Sequence, residues 1–349
     1  MIFADLYGLD RPREILARIL ASGRVPHALL FHGPEGVGKR ALATRLAASL
    51  LCESPRPATH EACGTCAACR RVEHGNHPDL FVVTRLAKDG KDAEEDEAAE
   101  GDLRSVITID QIRALSEHAA YAPREGARRV FLVDPADRLK LEGQNALLKT
   151  LEEPPGQAVI VLLASRPHAL LPTVRSRCFQ VGFASMAPAA LAAALAERGM
   201  APAEARARAA LSDGRPGRAL TLDVAALQAR RNAVLDMMVR LSASSRGAIE
   251  LGANAAALAG EGEDDLVEGM ELVASLARDA ARLAAGHEDV LHADALPRLS
   301  ELARSLGDAA AAEIVALASR LRGDLRVNAN RTLVAETLLA AVAGAIPAA

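Results

Sequence analysis

The stretch Ala28-Leu-Leu-Phe-His-Gly-Pro-Glu-Gly-Val-Gly-Lys-Arg40 governs the architecture that we expect for the first part of the chain. Its apolar beginning predicts a buried strand, its glycines predict a sharply turning loop, and residues 41–51 repeat apolar side chains at helical spacing. Such a strand, loop and helix form a phosphate cradle, in which backbone N–H groups and a helix N-terminus face an anion. Gly33, Gly36 and Gly38 would shape the cradle, and Lys39 would reach toward the outer phosphates of a nucleotide.

The cradle departs from its motif, G-x-x-x-x-G-K-[ST], at the last position. Arg40 stands where a Ser or Thr hydroxyl would hold Mg²⁺. A bulky cation beside the metal position disfavours Mg²⁺ through like-charge repulsion. Arg40 by itself leaves two interpretations open: the pocket of an ATPase, or a degenerate pocket in which ATP and Mg²⁺ bind weakly or not productively.

A second strand bears on the same chemistry. The run Arg128-Arg-Val-Phe-Leu-Val-Asp134 is apolar and ends in a carboxylate, which is how a phosphate-loop fold places an acid near Mg²⁺ opposite the cradle. A hydrolase also needs a group beside that acid to polarise the attacking water. Pro135 follows Asp134 and has no such group, and Asp137 lies two residues farther on a turn.

Composition limits the function classes that fit the chain. Its 349 residues have a formal net charge of −4, with 50% hydrophobic and 25% charged residues, so bulk charge does not favour nucleic-acid binding. The length predicts two or three domains. The sequence shows neither a secretory signal nor an apolar run long enough to span a bilayer, which makes the cytoplasm the expected location.

Four of the five cysteines lie in one short segment. Cys52, Cys63, Cys66 and Cys69 can supply four thiolates in a tetrahedron around Zn²⁺, and this spacing favours a structural zinc module at 52–69 over free thiols. A catalytic zinc is disfavoured, because four protein ligands leave no open position for water. One thiolate could instead be replaced by a nearby histidine: His60, His74 or His77.

The remaining segments are read from their periodicity. A strand is predicted at 78–83, a flexible acidic insertion at 88–102, a helix at 109–115 capped by Thr108 or Asp110, a helix at 143–155, a buried strand at 158–164 ending at Ser165, and a short helix at 170–177. Past Phe183 the sequence changes to Ala, Leu, Arg and Glu. It predicts helices at 187–198, 201–210, 225–241, 266–285, 309–321 and 331–343.

Several blocks resemble the bacterial DNA polymerase III clamp loader, a branch of the AAA+ ATPases. They are the cradle at 27–39, the cysteine cluster, Asn145-Ala-Leu-Leu-Lys-Thr-Leu-Glu-Glu-Pro-Pro155 and Thr173-Val-Arg-Ser-Arg-Cys178. The resemblance implies an α/β AAA+ (P-loop NTPase-type) domain at 1–183 with an inserted zinc module. It further implies a small helical lid at 184–225 and an all-α collar at 226–349 that assembles five subunits into a ring.

Within this family, the gamma and tau subunits are ATP-hydrolysing motors, and a stator subunit keeps the fold with a damaged pocket. Three positions favour the stator form: Arg40, Pro135, and Gly217, which stands where the lid of a motor carries its sensor arginine. The resemblance therefore implies a chain without ATPase activity of its own, acting as a component of a DNA polymerase holoenzyme. Its partners would be gamma or tau and delta subunits and, through the complex, the sliding clamp and primed DNA.

The resemblance assigns one catalytic residue. In the family, the arginine of the Ser-Arg-Cys block reaches across a subunit interface to the γ-phosphate of the neighbour's ATP, and here that residue is Arg177. A planar cation with several donors suits the charge on the phosphoryl oxygens. Cys178 is expected to be a packed thiol without chemistry.

Two other interpretations stay open. The chain could be an active motor of the gamma or tau type that tolerates Arg40. Alternatively, the cysteine cluster could contact DNA directly as a zinc finger, although it lacks the helix and the Cys/His order of groove-reading fingers.

Overall fold

A computed structural model describes residues 6–86, 106–154, 156–243, 247–260, 263–287, 289–325 and 330–344. The chain divides into two compact units, Met1–Thr221 and Leu222–Ala349. The predicted acidic insertion at 88–102 lies outside the described residues. The domain limits predicted at 183 and 225 remain predictions.

A five-stranded parallel sheet forms the centre of the first unit. Its strands are β1 (Ala28–His32), β2 (Leu80–Val83), β3 (Arg129–Val133), β4 (Ala158–Ala164) and β5 (Phe179–Gly182), in the order β2-β3-β4-β1-β5. The three central strands are buried along almost their whole length, as expected where helices cover both faces of a parallel sheet. Because β1 pairs with β4 and β4 pairs with β3 in parallel, the segments that follow these strands meet at one edge of the sheet.

Helices cover the sheet on both sides. They are α1 (Asp10–Ser22), α2 (Lys39–Leu51), α3 (Ala67–Glu73), α4 (Ile109–Ala120), α5 (Leu141–Glu152) and α6 (Pro172–Ser176). Alternate residues of β1 belong to different apolar clusters: Leu29 and Phe31 pack with α1 and α2, whereas Leu30 packs with α4 and α5. Thr108 caps α4 in a capping box with Gln111, one of the two caps that the sequence offered.

Three short helices complete the first unit: α7 (Pro188–Glu197), α8 (Pro202–Leu211) and α9 (Pro216–Thr221). Their apolar cluster is small and rich in alanine, and includes Leu191, Leu195, Ala205, Ala209 and Ala219. The sequence did not predict α9, because its six residues are too short for a recognisable helical period.

The regular secondary structure among the described residues of the second unit is entirely helical. It contains α10 (Val224–Ala243), α11 (Gly247–Ala259), α12 (Glu263–Ala284), α13 (Leu296–Asp324) and α14 (Arg331–Val342), which share one large apolar core. Gly307 has a φ of 73° and a ψ of 175°, which interrupts the helical backbone of α13. The predicted α/β domain followed by helices is confirmed. Among the described residues, no helix is long and apolar enough to cross a membrane.

Candidate nucleotide pocket, cysteine cluster and finger arginine

The glycine loop at 33–38, here named the phosphate-binding loop after its sequence motif, joins β1 to α2, as the sequence predicts. Gly33, Gly36 and Gly38 have φ values of 150°, 75° and 97°, a region that L side chains rarely adopt. A Cβ at Gly33 would also lie 2.2 Å from the Phe183 carbonyl oxygen. Gly38 is the N-cap of α2, whose first turn carries no acidic residue. The loop therefore keeps the backbone shape and the helix N-terminus that can face an anion.

Lys39 is buried and folds back onto this loop. Its Nζ donates to the carbonyl oxygens of Gly33 at 2.7 Å and Pro34 at 2.8 Å, and to Ser165 Oγ at 3.0 Å. Burial lowers the pKa of Lys39, and nearby carboxylates, chiefly that of Asp134, oppose this shift. An ammonium group has three donors, so these contacts use all of them. The amine would have to leave these contacts to reach a phosphate.

Arg40 lies against the carboxylate that the sequence assigned to the metal. Its Nη1 is 3.9 Å from Asp134 Oδ2, and the Asp134 side chain is only 19% exposed. The guanidinium thus places a fixed positive charge beside the acid that would face Mg²⁺ opposite the loop. The sequence alone identified both residues but did not show that they pair.

Asp137, the acid nearest to Pro135 on the following turn, is held by protein contacts. Its Oδ1 accepts from the backbone N–H of Ser165 at 3.1 Å, and its Oδ2 accepts from Arg166 Nε at 3.1 Å. The Asp137 side chain is 4% exposed. Both carboxylate oxygens thus have protein partners, and the side chain fixes the segment that follows β4.

The first turn of α9 rests on the phosphate-binding loop. The backbone N–H of Gly217 donates to the Gly36 carbonyl oxygen at 2.7 Å. A Cβ at Gly217 would lie 2.9 Å from that same oxygen. In this arrangement a side chain at 217 does not fit, so a sensor arginine at this position would require the two segments to separate.

The four clustered cysteines converge as their spacing predicts. Their sulfur atoms all lie within 4.8 Å of one another, with Sγ–Sγ distances of 3.9 Å for Cys52–Cys66, 3.9 Å for Cys63–Cys69 and 3.6 Å for Cys52–Cys69. A tetrahedral zinc with Zn–S bonds of about 2.3 Å requires sulfurs about 3.8 Å apart. The donor set therefore fits a metal such as zinc.

Backbone N–H groups around the cluster favour thiolates. The N–H groups of Thr65 and Cys66 point to Cys63 Sγ at 3.4 and 3.3 Å, and they lower the pKa of Cys63 to about 6. Burial raises the pKa of Cys52 and of Cys69, so a bound cation would be needed to hold those two as thiolates. His77 accepts a hydrogen bond from the Asp79 backbone N–H through Nδ1. Among the described residues, the potential metal group contains only the four cysteines.

Arg177 follows α6 at the surface of the first unit, and its side chain is 36% exposed. Its Nη2 lies 2.6 Å from Glu152 Oε1 at the end of α5, and its Nη1 donates to the Thr173 carbonyl oxygen at 3.0 Å. The sequence alone did not predict a role for Glu152. Cys178 is buried beside it, and burial raises the pKa of this thiol to about 12, in keeping with a packed thiol.

Comparison with known families identifies the first unit. The family model described as DNA polymerase III, delta subunit, matches residues 9–187, more than half of the chain. The chain belongs to this family. The resemblance to clamp-loader subunits of DNA polymerase III is thereby confirmed.

The curated relatives of this chain include both delta′ subunits and tau subunits. The delta′ subunit of Pseudomonas aeruginosa is 40% identical over 177 residues, which are 51% of this chain and 48% of the relative. The tau subunit of Escherichia coli is 37% identical over 178 residues, 51% of this chain and 25% of the relative. The delta′ subunit of Bacillus subtilis is 33% identical over 196 residues, 56% of this chain and 54% of the relative. The matches thus span about half of these relatives' length or less.

Proposed function

We propose that the chain is the delta′-type stator of a DNA polymerase III clamp loader, with a degenerate ATP site of its own. Sequence identity does not distinguish a stator from a motor subunit, because this chain is nearly equally similar to a delta′ relative and to a tau relative. The pocket does. The observation that carries the proposal is the Arg40 guanidinium beside the Asp134 carboxylate, 3.9 Å apart.

Three further features of the pocket support the loss of ATP turnover. The three N–H donors of Lys39 are used by contacts within the protein, Pro135 offers no group to polarise water, and Gly217 offers no cation for a γ-phosphate. Each removes charge stabilisation at a different part of the phosphoryl-transfer transition state. The retained loop amides still allow weak nucleotide binding.

Arg177 would act on ATP held by the next subunit. The guanidinium is partly exposed, close to the end of α6, and carries more N–H donors than its two present contacts use. Such a group suits the charge that spreads over phosphoryl oxygens, and an arginine supplied in trans can raise the rate by about 10³ to 10⁵. In this proposal the chain lends its arginine to a gamma or tau motor.

The proposed assembly is a five-subunit ring of this chain with gamma or tau and delta subunits. The ring would use ATP to place the sliding clamp on primed DNA during replication. The helical second unit would contribute the collar that holds the ring together. This part of the proposal rests on the family to which the chain belongs.

The cysteine cluster would hold a structural zinc ion. Cys52 is the C-cap of α2 and Cys66 is the N-cap of α3, so the metal would fix the segment between these two helices. Four thiolates close the coordination sphere and leave no position for substrate water, which favours a structural over a catalytic role.

Replacement of Arg177 by alanine tests the proposed function. In a reconstituted clamp loader, Arg177→Ala should lower ATP turnover by about a thousandfold at the neighbouring site, because the transition state loses its cation. The ring should still assemble, as judged by size-exclusion chromatography. Arg113→Ala is a matched control, since Arg113 is an arginine of α4 with a 64% exposed side chain. Unchanged turnover in Arg177→Ala would contradict the finger role.

The intact glycines and Lys39 keep an active motor of the gamma or tau type as the second candidate. ATP hydrolysis by the isolated chain, abolished in Lys39→Ala, would favour it. The stator proposal expects no turnover by the isolated chain, with or without primed DNA.

A further inference from the structure

Helix α5 holds the segment that carries Arg177 at two places. Near the beginning of α5, the buried Gln144 side chain contacts the chain that leads into α6. Near its end, Glu152 contacts the guanidinium itself. Glu152 belongs to the block at 145–155 that resembles the clamp loader, and Gln144 directly precedes that block. Neither residue has a part in the finger role as argued so far.

The contacts of Gln144 fix where α6 begins. Its Nε2 donates to the carbonyl oxygens of Leu139 and Ala169, each at 3.0 Å, and its Oε1 accepts from the backbone N–H of Leu171 at 2.7 Å. Leu171 is the N-cap of α6. A buried amide with all these partners satisfied defines the local geometry narrowly. The base of the finger segment is therefore rigid, and only the Arg177 side chain remains to be oriented.

Glu152 and the Thr173 carbonyl hold the two terminal nitrogens of Arg177. The 2.6 Å contact to Glu152 engages Nη2, and the 3.0 Å contact to Thr173 engages Nη1. An arginine side chain has several rotatable bonds, and ordering them at the moment of reaction costs conformational entropy. The two contacts order the guanidinium beforehand and leave its other N–H donors unused by them.

We propose that Glu152 is a positioning residue for Arg177, which orients the finger toward the phosphates of the neighbouring subunit. The inference rests on the proposed function. An ion pair with side chains 36% and 48% exposed is weak in water, so it restricts the rotamers of Arg177 without preventing a new contact to phosphate. A group oriented in advance accelerates the chemical step rather than nucleotide binding.

The test compares two adjacent carboxylates. Glu152→Gln removes the charge and keeps the side-chain volume, and Glu153→Gln makes the same change one residue away, where the described structure shows no ion pair. In a reconstituted clamp loader whose other ATP sites are silenced, Glu152→Gln should lower kcat by about two- to fivefold with KM for ATP unchanged. Glu153→Gln should match the wild type. Thermal unfolding of each isolated chain checks that both variants fold.

A second set of variants separates this role from a general effect on structure. In an Arg177→Ala background, Glu152→Gln should cause no further decrease, because its effect passes through the arginine. Glu152→Asp should recover part of the lost kcat. In the isolated chain, the ¹⁵N signal of the Arg177 guanidinium should report an ordered side chain in the wild type and in Glu153→Gln, and a mobile one in Glu152→Gln.

The outcomes separate a failure of the positioning role of Glu152 from a failure of the proposed finger role of Arg177. If Arg177→Ala lowers turnover but Glu152→Gln does not, Glu152 has no positioning role and the finger stands. An increased kcat in Glu152→Gln would also overturn the inference, since it would make the ion pair a restraint on the finger. If Arg177→Ala leaves turnover unchanged, the finger and the positioning role both fail.

Discussion

Arg40 is the single residue at which the phosphate-binding loop differs from its motif. Its expected effect on Mg²⁺ binding comes from the position of its charge. The guanidinium is 46% exposed and its contact with Asp134 is long, so the pair adds little to the stability of the fold. The pair matters for metal binding instead, because the positive charge of Arg40 would repel a divalent cation that approaches Asp134. In the proposed function, a side chain alone would thus weaken the metal site, without any change in the backbone that forms it.

Replacing Arg40 by threonine should restore part of the metal site. We expect Arg40→Thr to raise the affinity for ATP in the presence of Mg²⁺ by about tenfold, because the hydroxyl is returned and the like charge is removed. Titration calorimetry with and without Mg²⁺ measures this change.

Hydrolysis should remain absent in Arg40→Thr, since Pro135 and Gly217 are unchanged. Arg45→Thr, an equivalent substitution farther along α2, is the control. Equal ATP affinity in the two variants would contradict the account given for Arg40.

At the scale of elements, one buried carboxylate fixes the connection between α4 and β3. Asp79 precedes β2 and accepts hydrogen bonds from the backbone N–H groups of Arg124, Glu125 and Gly126 at 2.7 to 3.0 Å. Its Oδ1 is also 3.6 Å from Arg129 Nε. Burial opposes the charged form, but these hydrogen bonds and the Arg129 charge outweigh it and lower the pKa of Asp79.

Asp79→Asn should destabilise the first unit in a pH-dependent way. At pH 7 we expect a loss of about 2 to 3 kcal/mol in the free energy of unfolding, because a charged acceptor of several hydrogen bonds is replaced by a neutral amide. The folded pKa lies below the unfolded value of about 4, so the stabilisation is complete above pH 4 and is lost as the pH falls through the folded pKa.

Urea denaturation at several pH values measures the Asp79 effect. Asp110→Asn, at a site whose side chain is 83% exposed, should change stability little. A loss in Asp79→Asn that is the same at pH 7 and at pH 3 would contradict the ionic account.

The whole molecule contains separate apolar cores. Among the described residues, the first unit has two clusters on the sheet and a small one among α7, α8 and α9, and the second unit has one cluster. The cysteine cluster lies within the first unit, beside α2 and α3. Units with independent cores commonly unfold in separate steps.

Loss of zinc should therefore lower the thermal stability of the first unit and leave that of the second unit unchanged. We expect calorimetry to resolve two thermal transitions, and Cys63→Ser to lower only one of them while reducing the bound zinc from about one ion per chain. Elemental analysis by mass spectrometry measures the metal. Cys178→Ser should keep its zinc, since that thiol lies outside the cluster. Full zinc occupancy in Cys63→Ser would rule out the cluster as the site.

Local sequence was sufficient for much of the fold. The strand at 158–164 and the cap at Thr108 are confirmed, because apolar runs and capping residues act over a few neighbouring positions. The bounds of segments without a clear local period were harder to predict. The helix predicted at 309–321 belongs to α13, which begins at Leu296 and contains a break at Gly307.

The chain's own residue order established the glycine loop with Lys39, the four-cysteine spacing and the membership in a clamp-loader family. Only the tertiary structure brought Arg40 to Asp134, Gly217 to Gly36 and Glu152 to Arg177. The reason is physical: the partners of each pair are separated by 25 to 181 positions in the sequence. Strand order and helix packing, rather than any local pattern, decide whether such residues meet.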